Sequence, residues 1–250
     1  MQPPTAKASV AYVGDWRARL RGTPLHDAVR SVRAARERLR WRLERTSSWG
    51  SAVERRQADA LRDWRARPGA GAPPALVKQA IVKEYARRFG LAVLVETGTL
   101  HGDMIEGTRR IFQRVVSVEL APHLARRATA RFAAQPSVTI LEGDSANVLP
   151  QVLAQLEEPA LFWLDGHYSG DDTARGDQET PVRTELAAVL AHPVRDHVIL
   201  IDDARAFGRG DYPTIDEIRA IVASSRPEFE VAVADDIIRI HPAAPVAESR

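Results

Sequence analysis

LAVLVETGTLHGDM, residues 91–104, changes character twice within fourteen residues. Leu91–Val95 is a β-rich apolar run. Glu96 and Thr97 end it, Gly98 and Gly102 punctuate the next turn, and a helical pattern then begins. A strand that is apolar throughout, not alternating, is one covered on both faces, as in a parallel sheet. RVVSVEL (114–120), SVTILEG (137–143), ALFWLD (160–165) and HVILIDD (197–203) repeat this character. Helical segments such as PHLARRATARFAA and VRTELAAVLAH separate them. Alternation of this kind implies right-handed crossovers and an open, doubly wound sheet. EFEVAVADDIIRIHP, near the end, has two strand-like runs split by Asp235-Asp236 and reads as a hairpin. The expected fold is therefore α/β, a mostly parallel seven-stranded sheet closed by an antiparallel hairpin.

The N-terminal third is different. Residues 25–45 carry Leu25, Ala28, Val29, Val32, Ala35, Leu39 and Leu43 at helical spacing among arginines. A second helix is expected over roughly 51–66, a Pro/Gly linker over 67–74, and a helix over 75–89 stopped by Gly90. Residues 1–66 have a net charge of +8 and the remainder −6. The expected organisation is a basic helical extension with linker over 1–74 and an α/β domain over 75–250. The stripe at 25–43 favours packing, against the body or in a homo-oligomer, over phosphate binding.

Hydrophobic residues make up 44% of the 250 and charged residues 27%, an ordinary globular composition. Cysteine is absent, which excludes disulfides, thiolate nucleophiles and zinc–thiolate sites. The N-terminus lacks a signal-peptide core, and the aliphatic runs are too short to span a bilayer. A soluble, cytoplasmic protein is expected, with no membrane partner.

Chemistry-bearing residues gather at the expected strand ends. Glu96 precedes a tight Gly98–Gly102 turn into a helix, whose N-terminus adds partial positive charge. The dinucleotide pattern G-x-G-x-x-G is absent. Glu119 ends the second strand, where an acid in doubly wound folds accepts ribose hydroxyls; it can equally be a solvated strand end. Asp144 comes just after the third strand, either facing an adenine amino group or capping a helix that starts near Ser145. LFWLDGHYSG (161–170) ends the fourth strand in Asp165, Gly166, His167 and Tyr168, and ILIDDAR brings Asp202 and Asp203 to the end of the fifth.

Together these residues resemble the class I S-adenosylmethionine-dependent methyltransferases, over roughly 75–242. The resemblance implies a Rossmann-like methyltransferase sheet. It also implies a cofactor loop of Glu96, Thr97, Gly98 and Gly102, a ribose acid at Glu119, and adenine-side residues Asp144 and Ser145. Leu100 stands where the fuller family pattern has a glycine. The family places the fourth and fifth strands side by side, so Asp165, Asp202 and Asp203 should converge. Three such acids repel unless protons or a cation lie between them. A hard divalent ion, magnesium by preference, is the expected solution, as in the macrocin-type sugar O-methyltransferases that this arrangement is similar to. A neighbouring carboxylate or imidazole takes the proton, so Asp165 and His167 are the candidate acceptors; His167 is not part of the family pattern. The alternative is that Asp202-Asp203 cap a turn and His167 bonds the backbone.

The loop 166–181 is long, glycine-bearing and acidic, as lids are. ARAFGRGDYP (204–213) is expected as the opposite wall, with Tyr168, Phe207 and Tyr212 toward an acceptor. Three function classes are compatible with these features. The first is a methyltransferase for a hydroxyl of a small molecule, such as a sugar or natural product, with or without a metal. The second is a nucleic-acid methyltransferase using the arginine-rich leader; the acidic site edge and the lack of an Asn-Pro-Pro-aromatic motif count against it. The third is a non-catalytic cofactor- or protein-binding module.

Overall fold

The computed structural model describes residues 48–67, 71–166 and 180–243. The expected 25–45 helix and most of the expected 166–181 loop, His167 and Tyr168 included, lie outside them.

Seven strands form one sheet in the order β3-β2-β1-β4-β5-β7-β6. They are β1 (Val93–Thr97), β2 (Arg114–Glu119), β3 (Val138–Glu142), β4 (Ala160–Leu164), β5 (Val198–Ile201), β6 (Phe229–Ala234) and β7 (Ile237–Pro242). β1–β5 are mutually parallel; β7 runs antiparallel to both β5 and β6. Asp235 and Asp236, at φ 52° and 58°, make the turn of the closing hairpin. Positive φ at both central residues matches the right-handed twist of the strands, and Asp tolerates it better than most.

The uniform apolarity of the strands has the cause read from the sequence. Val93, Val95, Phe162, Leu164, Ile199 and Ile201 enter one core cluster. Leu94, Leu161, Trp163, Val198 and Leu200, the residues between them, enter a second on the opposite face. Helices Ser145–Leu153, Val182–Ala191 and Ile215–Ser225 supply the first cluster. Helices α1 (Ser48–Arg65), α2 (Ala75–Arg88) and α3 (Asp103–Thr108) contribute to the second.

Helix α1 packs along α2. Its Gln57 is buried and donates to Gln79 Oε1 at 2.8 Å and to the Gly107 carbonyl at 3.1 Å, while Lys83 donates to Gln57 Oε1 at 2.7 Å. Gln79 in turn donates to the Asp103 carbonyl at 2.9 Å. Buried polar groups need partners, and this chain of bonds fastens α1 and α2 to the helix that opens the site. Burial lowers Lys83 to about 8. Among the described residues no helix is long and apolar enough to cross a membrane.

The strand order reverses between β1 and β4. Chain segments leaving β1 go to β2 and β3 on one side, then return to β4 on the other. A crevice opens at the carboxyl ends of the strands flanking such a reversal.

Candidate active site

Register sets what the crevice contains. Thr97 pairs with Val118 on one side and Leu164 on the other, and Leu164 pairs with Ile201. The ladder runs one residue further: Asp165 N–H donates to the Thr97 carbonyl, and Asp202 N–H to the Leu164 carbonyl, each at 3.1 Å. Asp165 and Asp202 are therefore neighbours across adjacent strand ends, as the resemblance implied.

The loop after β1 is built for close approach. Gly98 has φ 83°, and a Cβ there would stand 2.2 Å from the Asp165 carbonyl oxygen. Gly102 has φ 77°, and a Cβ would stand 2.6 Å from the Phe132 ring. Between them Leu100 adopts φ 49°. The departure from glycine is thus one of residue type and not of backbone: a leucine holds the left-handed conformation. Such a conformation costs an L-residue about 1–2 kcal/mol. Leu100 N–H donates to Glu119 Oε2 at 2.8 Å, which helps to hold it.

Glu119 is almost fully buried, and its other oxygen accepts from Ala121 N–H at 2.9 Å. Its carboxylate clasps the glycine loop to the end of β2. Each oxygen keeps a further lone pair for another donor. Glu96 lies fully buried on the α3 face of the sheet, where Ser117 Oγ donates to its Oε2 at 2.5 Å, and Thr99 Oγ1 lies 2.5 Å from the Ser117 hydroxyl. Burial raises its acid to about 8. The Ser117 bond opposes this, and the charges of Asp165 and Glu119 reinforce it. Asp144 fills the capping role: its Oδ1 accepts from Ala146 N–H at 2.9 Å at the start of the helix beginning at Ser145.

Glu185 was not foreseen. It projects from helix Val182–Ala191 into the base of the crevice and is 1% exposed. Burial raises it to about 7, and the nearby Ser145 and Thr97 hydroxyls pull the other way. Those hydroxyls stand close, but Glu185 Oε1 and Thr97 Oγ1 are left without hydrogen-bond partners. A Cβ on Gly166 would lie 3.3 Å from both atoms. Two orphaned buried polar atoms and a glycine-lined approach are the features of a ligand cradle.

Lys78 was not foreseen either. It reaches from α2 to the acidic edge, where its Nζ is in contact with Asp202 Oδ2 and lies 3.9 Å from Asp203 Oδ1. Asp202 Oδ1 accepts from Asp203 N–H at 2.9 Å. Asp203, at φ 56°, accepts from Arg205 Nη1 at 2.9 Å. Burial raises Asp202 to about 7, with Asp165 adding and Lys78 subtracting. Burial disfavours the Lys78 charge too, but Asp202 outweighs it and the ammonium is held above its ordinary range. Burial favours a protonated Asp202, and the nearby acids favour a charged Lys78. The direct contact between the two groups supports the charged pair.

The magnesium expectation meets this arrangement. Among the described residues no group of three or more His, Asp or Glu side chains is placed to hold a metal ion. Both Asp202 oxygens are engaged, and the positive charge beside them is a lysine. Asp165, Asp202 and Asp203 as they stand do not fit an ion. His167 lies outside the described residues. Phe207 and Tyr212 meet edge to face, with ring centroids 5.3 Å apart.

No family model matches the chain, and no curated protein matches it. Solved structures do. The O-methyltransferase from Bacillus cereus, in complex with SAH, aligns at 15% identity and a TM-score of 0.51, over 77% of this chain and 91% of that one. The O-methyltransferase TomG from Streptomyces achromogenes, involved in tomaymycin synthesis and in complex with SAM, aligns at 16% identity and a TM-score of 0.50, over 77% and 90%. At such identities the likeness is one of fold. The chain has the Rossmann-like fold of these methyltransferases, with its antiparallel end strands.

Proposed function

We propose that the chain is an S-adenosylmethionine-dependent methyltransferase that acts on a hydroxyl of a small molecule, such as a sugar or a natural product. One observation carries the reading. At the strand-order reversal, a loop with no room for side chains at Gly98 and Gly102 is clasped by the Glu119 carboxylate through Leu100 N–H. A scaffold that spends a strained leucine and a buried acid on one loop is shaping a binding surface.

In this reading Glu119 turns its remaining lone pairs to the two ribose hydroxyls. Asp144 and Ser145 border the base. Thr97 and Glu185 offer their unpartnered atoms to the cofactor's polar groups, and the Gly98–Gly102 backbone lies against its amino-acid end. Glu96, kept protonated near neutrality by burial, braces the loop from beneath through Ser117 and Thr99. When bound, the cofactor supplies an electrophilic methyl group on sulfur. The chain's contribution is to aim an acceptor hydroxyl along the line of transfer, exclude water and take the released proton. In this reading Asp165, at the end of β4, takes the proton, and His167 is the second candidate. The acidic edge suits a neutral acceptor better than a phosphate backbone.

The test is calorimetric titration with S-adenosylhomocysteine, on wild type and Glu119→Gln. The glutamine retains one acceptor oxygen and the side-chain volume. It replaces charge-assisted bonds by neutral ones, so affinity should fall at least tenfold. An unchanged affinity, or no saturable binding by the wild type, overturns the assignment. Methyl transfer to a panel of sugars and phenols would separate an enzyme from a binding module.

A further inference from the structure

We propose that the Lys78 ammonium is the resident cation of the acidic edge formed by Asp165, Asp202 and Asp203, and takes the place of a divalent ion there. As a statement about catalysis it rests on the function proposed above; as a statement about cation binding it does not.

The sheet register forces Asp165 and Asp202 to adjacent strand ends, and Asp203 comes next in the chain. Negative charge gathered at a largely buried edge needs a counter-charge. Lys78 provides one: its Nζ is in contact with Asp202, within 3.9 Å of Asp203, and within electrostatic reach of Asp165. A divalent ion bound by the Asp202 oxygen that Lys78 contacts would have to displace the ammonium. Two cations cannot share that volume, and an ion entering would expel the lysine into repulsion at short range.

Residue choice points the same way. Only three of the chain's 35 basic residues are lysine, and two of these, Lys78 and Lys83, project from α2 into polar sites where compactness matters. An ammonium is a point charge on a flexible stem; a guanidinium is a wide planar fork. In a chain that otherwise uses arginine, the residue that stands among these acids is a lysine, Lys78.

Functionally, the ammonium has three N–H donors and Asp202 takes one. The others can hold an acceptor's oxygen beside Asp165, which orients the hydroxyl and favours its anion. That is the work a metal does in polarising a bound hydroxyl. Lys78 is therefore assigned as a positioning residue for the acceptor.

The experiment is titration of the metal-free protein with Mn2+, following free Mn2+ by electron paramagnetic resonance. Wild type, Lys78→Met and Lys78→Gln are compared, with folding checked by circular dichroism. Removing the ammonium takes the counter-charge from Asp202, while Arg205 stays on Asp203. At least one folded variant should then bind one Mn2+ at least tenfold more tightly than wild type, and adding Asp202→Asn should abolish the gain. If wild type binds Mn2+ within tenfold of both variants, or no folded variant gains a site, the proposal is overturned. Should neither Lys78 variant fold, wild type decides. Saturable binding below millimolar Mn2+ that Asp202→Asn removes refutes the assignment, and its absence upholds it. None of these readouts uses methyl transfer. A failed S-adenosylhomocysteine titration beside a positive Mn2+ contrast would remove the proposed function and leave this assignment standing.

Discussion

Gly98→Ala and Gly90→Ala form a matched pair that isolates the close approach at the head of the crevice. Both glycines have positive φ, 83° and 66°. Each alanine therefore takes on the left-handed penalty of about 1–2 kcal/mol, offset by about 0.4–1 kcal/mol from a stiffer unfolded chain. At Gly90 nothing lies within 4 Å of the added Cβ, so the loss stops there, at about 1 kcal/mol. At Gly98 the Cβ would be 2.2 Å from the Asp165 carbonyl oxygen, whereas ordinary contact begins at 3.4 Å. The ends of β1 and β4 must part by about 1.2 Å. Two backbone bonds hold them in place: Asp165 N–H to Thr97 at 3.1 Å and Gly98 N–H to Val118 at 2.9 Å. Losing both costs about 2 kcal/mol more at a net of about 1 kcal/mol each. Gly98→Ala should thus lose about 3 kcal/mol and Gly90→Ala about 1. With a urea slope of about 3 kcal/mol/M, the midpoints should differ by about 0.7 M. Urea unfolding followed by circular dichroism measures both. Losses equal within about 0.5 kcal/mol would show that the two strand ends yield freely, and the rigid cradle would have to be given up.

Two further predictions concern the same loop and the acid beneath it. Leu100→Gly should be neutral or stabilising by up to about 1 kcal/mol in urea unfolding, because the relief of a left-handed leucine outweighs the added chain entropy; its side chain is 41% exposed and has little packing to lose. A loss above about 1 kcal/mol would mean that the side chain, not the backbone, is what the position needs. Glu96 is raised to about 8 from 4.5, so between these values the folded chain binds a proton that the unfolded chain has released. Stability should fall as pH rises through that window, by up to about 1.4 kcal/mol per unit for this one group. Glu96→Gln cannot ionise, so melting profiles from pH 4.5 to 8 should diverge, with the variant gaining on wild type at the alkaline end. Parallel profiles would count against a protonated Glu96.

The sheet was legible because parallel strands buried on both faces leave a signal that needs no knowledge of partners. The Asp235-Asp236 turn was legible because local chemistry dictates it. Asp165 and Asp202 could be placed together because each ends an apolar run and the family resemblance sets those two strands side by side. Asp144 left two readings open, and its bond to Ala146 N–H adds the capping one without removing the other. Lys78 was missed because it lies 124 residues from Asp202 in sequence and reaches it through the packing of α2, which periodicity does not fix. Glu185 did leave a trace: it shares a helical face with Val182 and Val189, both buried, and a charge on an apolar stripe marks a buried acid. The positive φ of Leu100 left none, since leucine is the last residue that composition would assign to a left-handed turn.

The place of β7 has a consequence for synthesis. It is the last of the described strands, yet it lies inside the sheet, between β5 and β6. While a ribosome is still making residues 237–242, β5 is an open edge, with Val198–Ile201 offering unpaired backbone groups beside apolar side chains. Such an edge templates pairing with other chains. The nascent protein thus passes through a sticky interval that ends only when β7 arrives, and slow translation of helix Ile215–Ser225 and the hairpin would lengthen it. Yield in a cell should accordingly depend on chaperones that shield strand edges, even though the finished sheet has no such liability at β5.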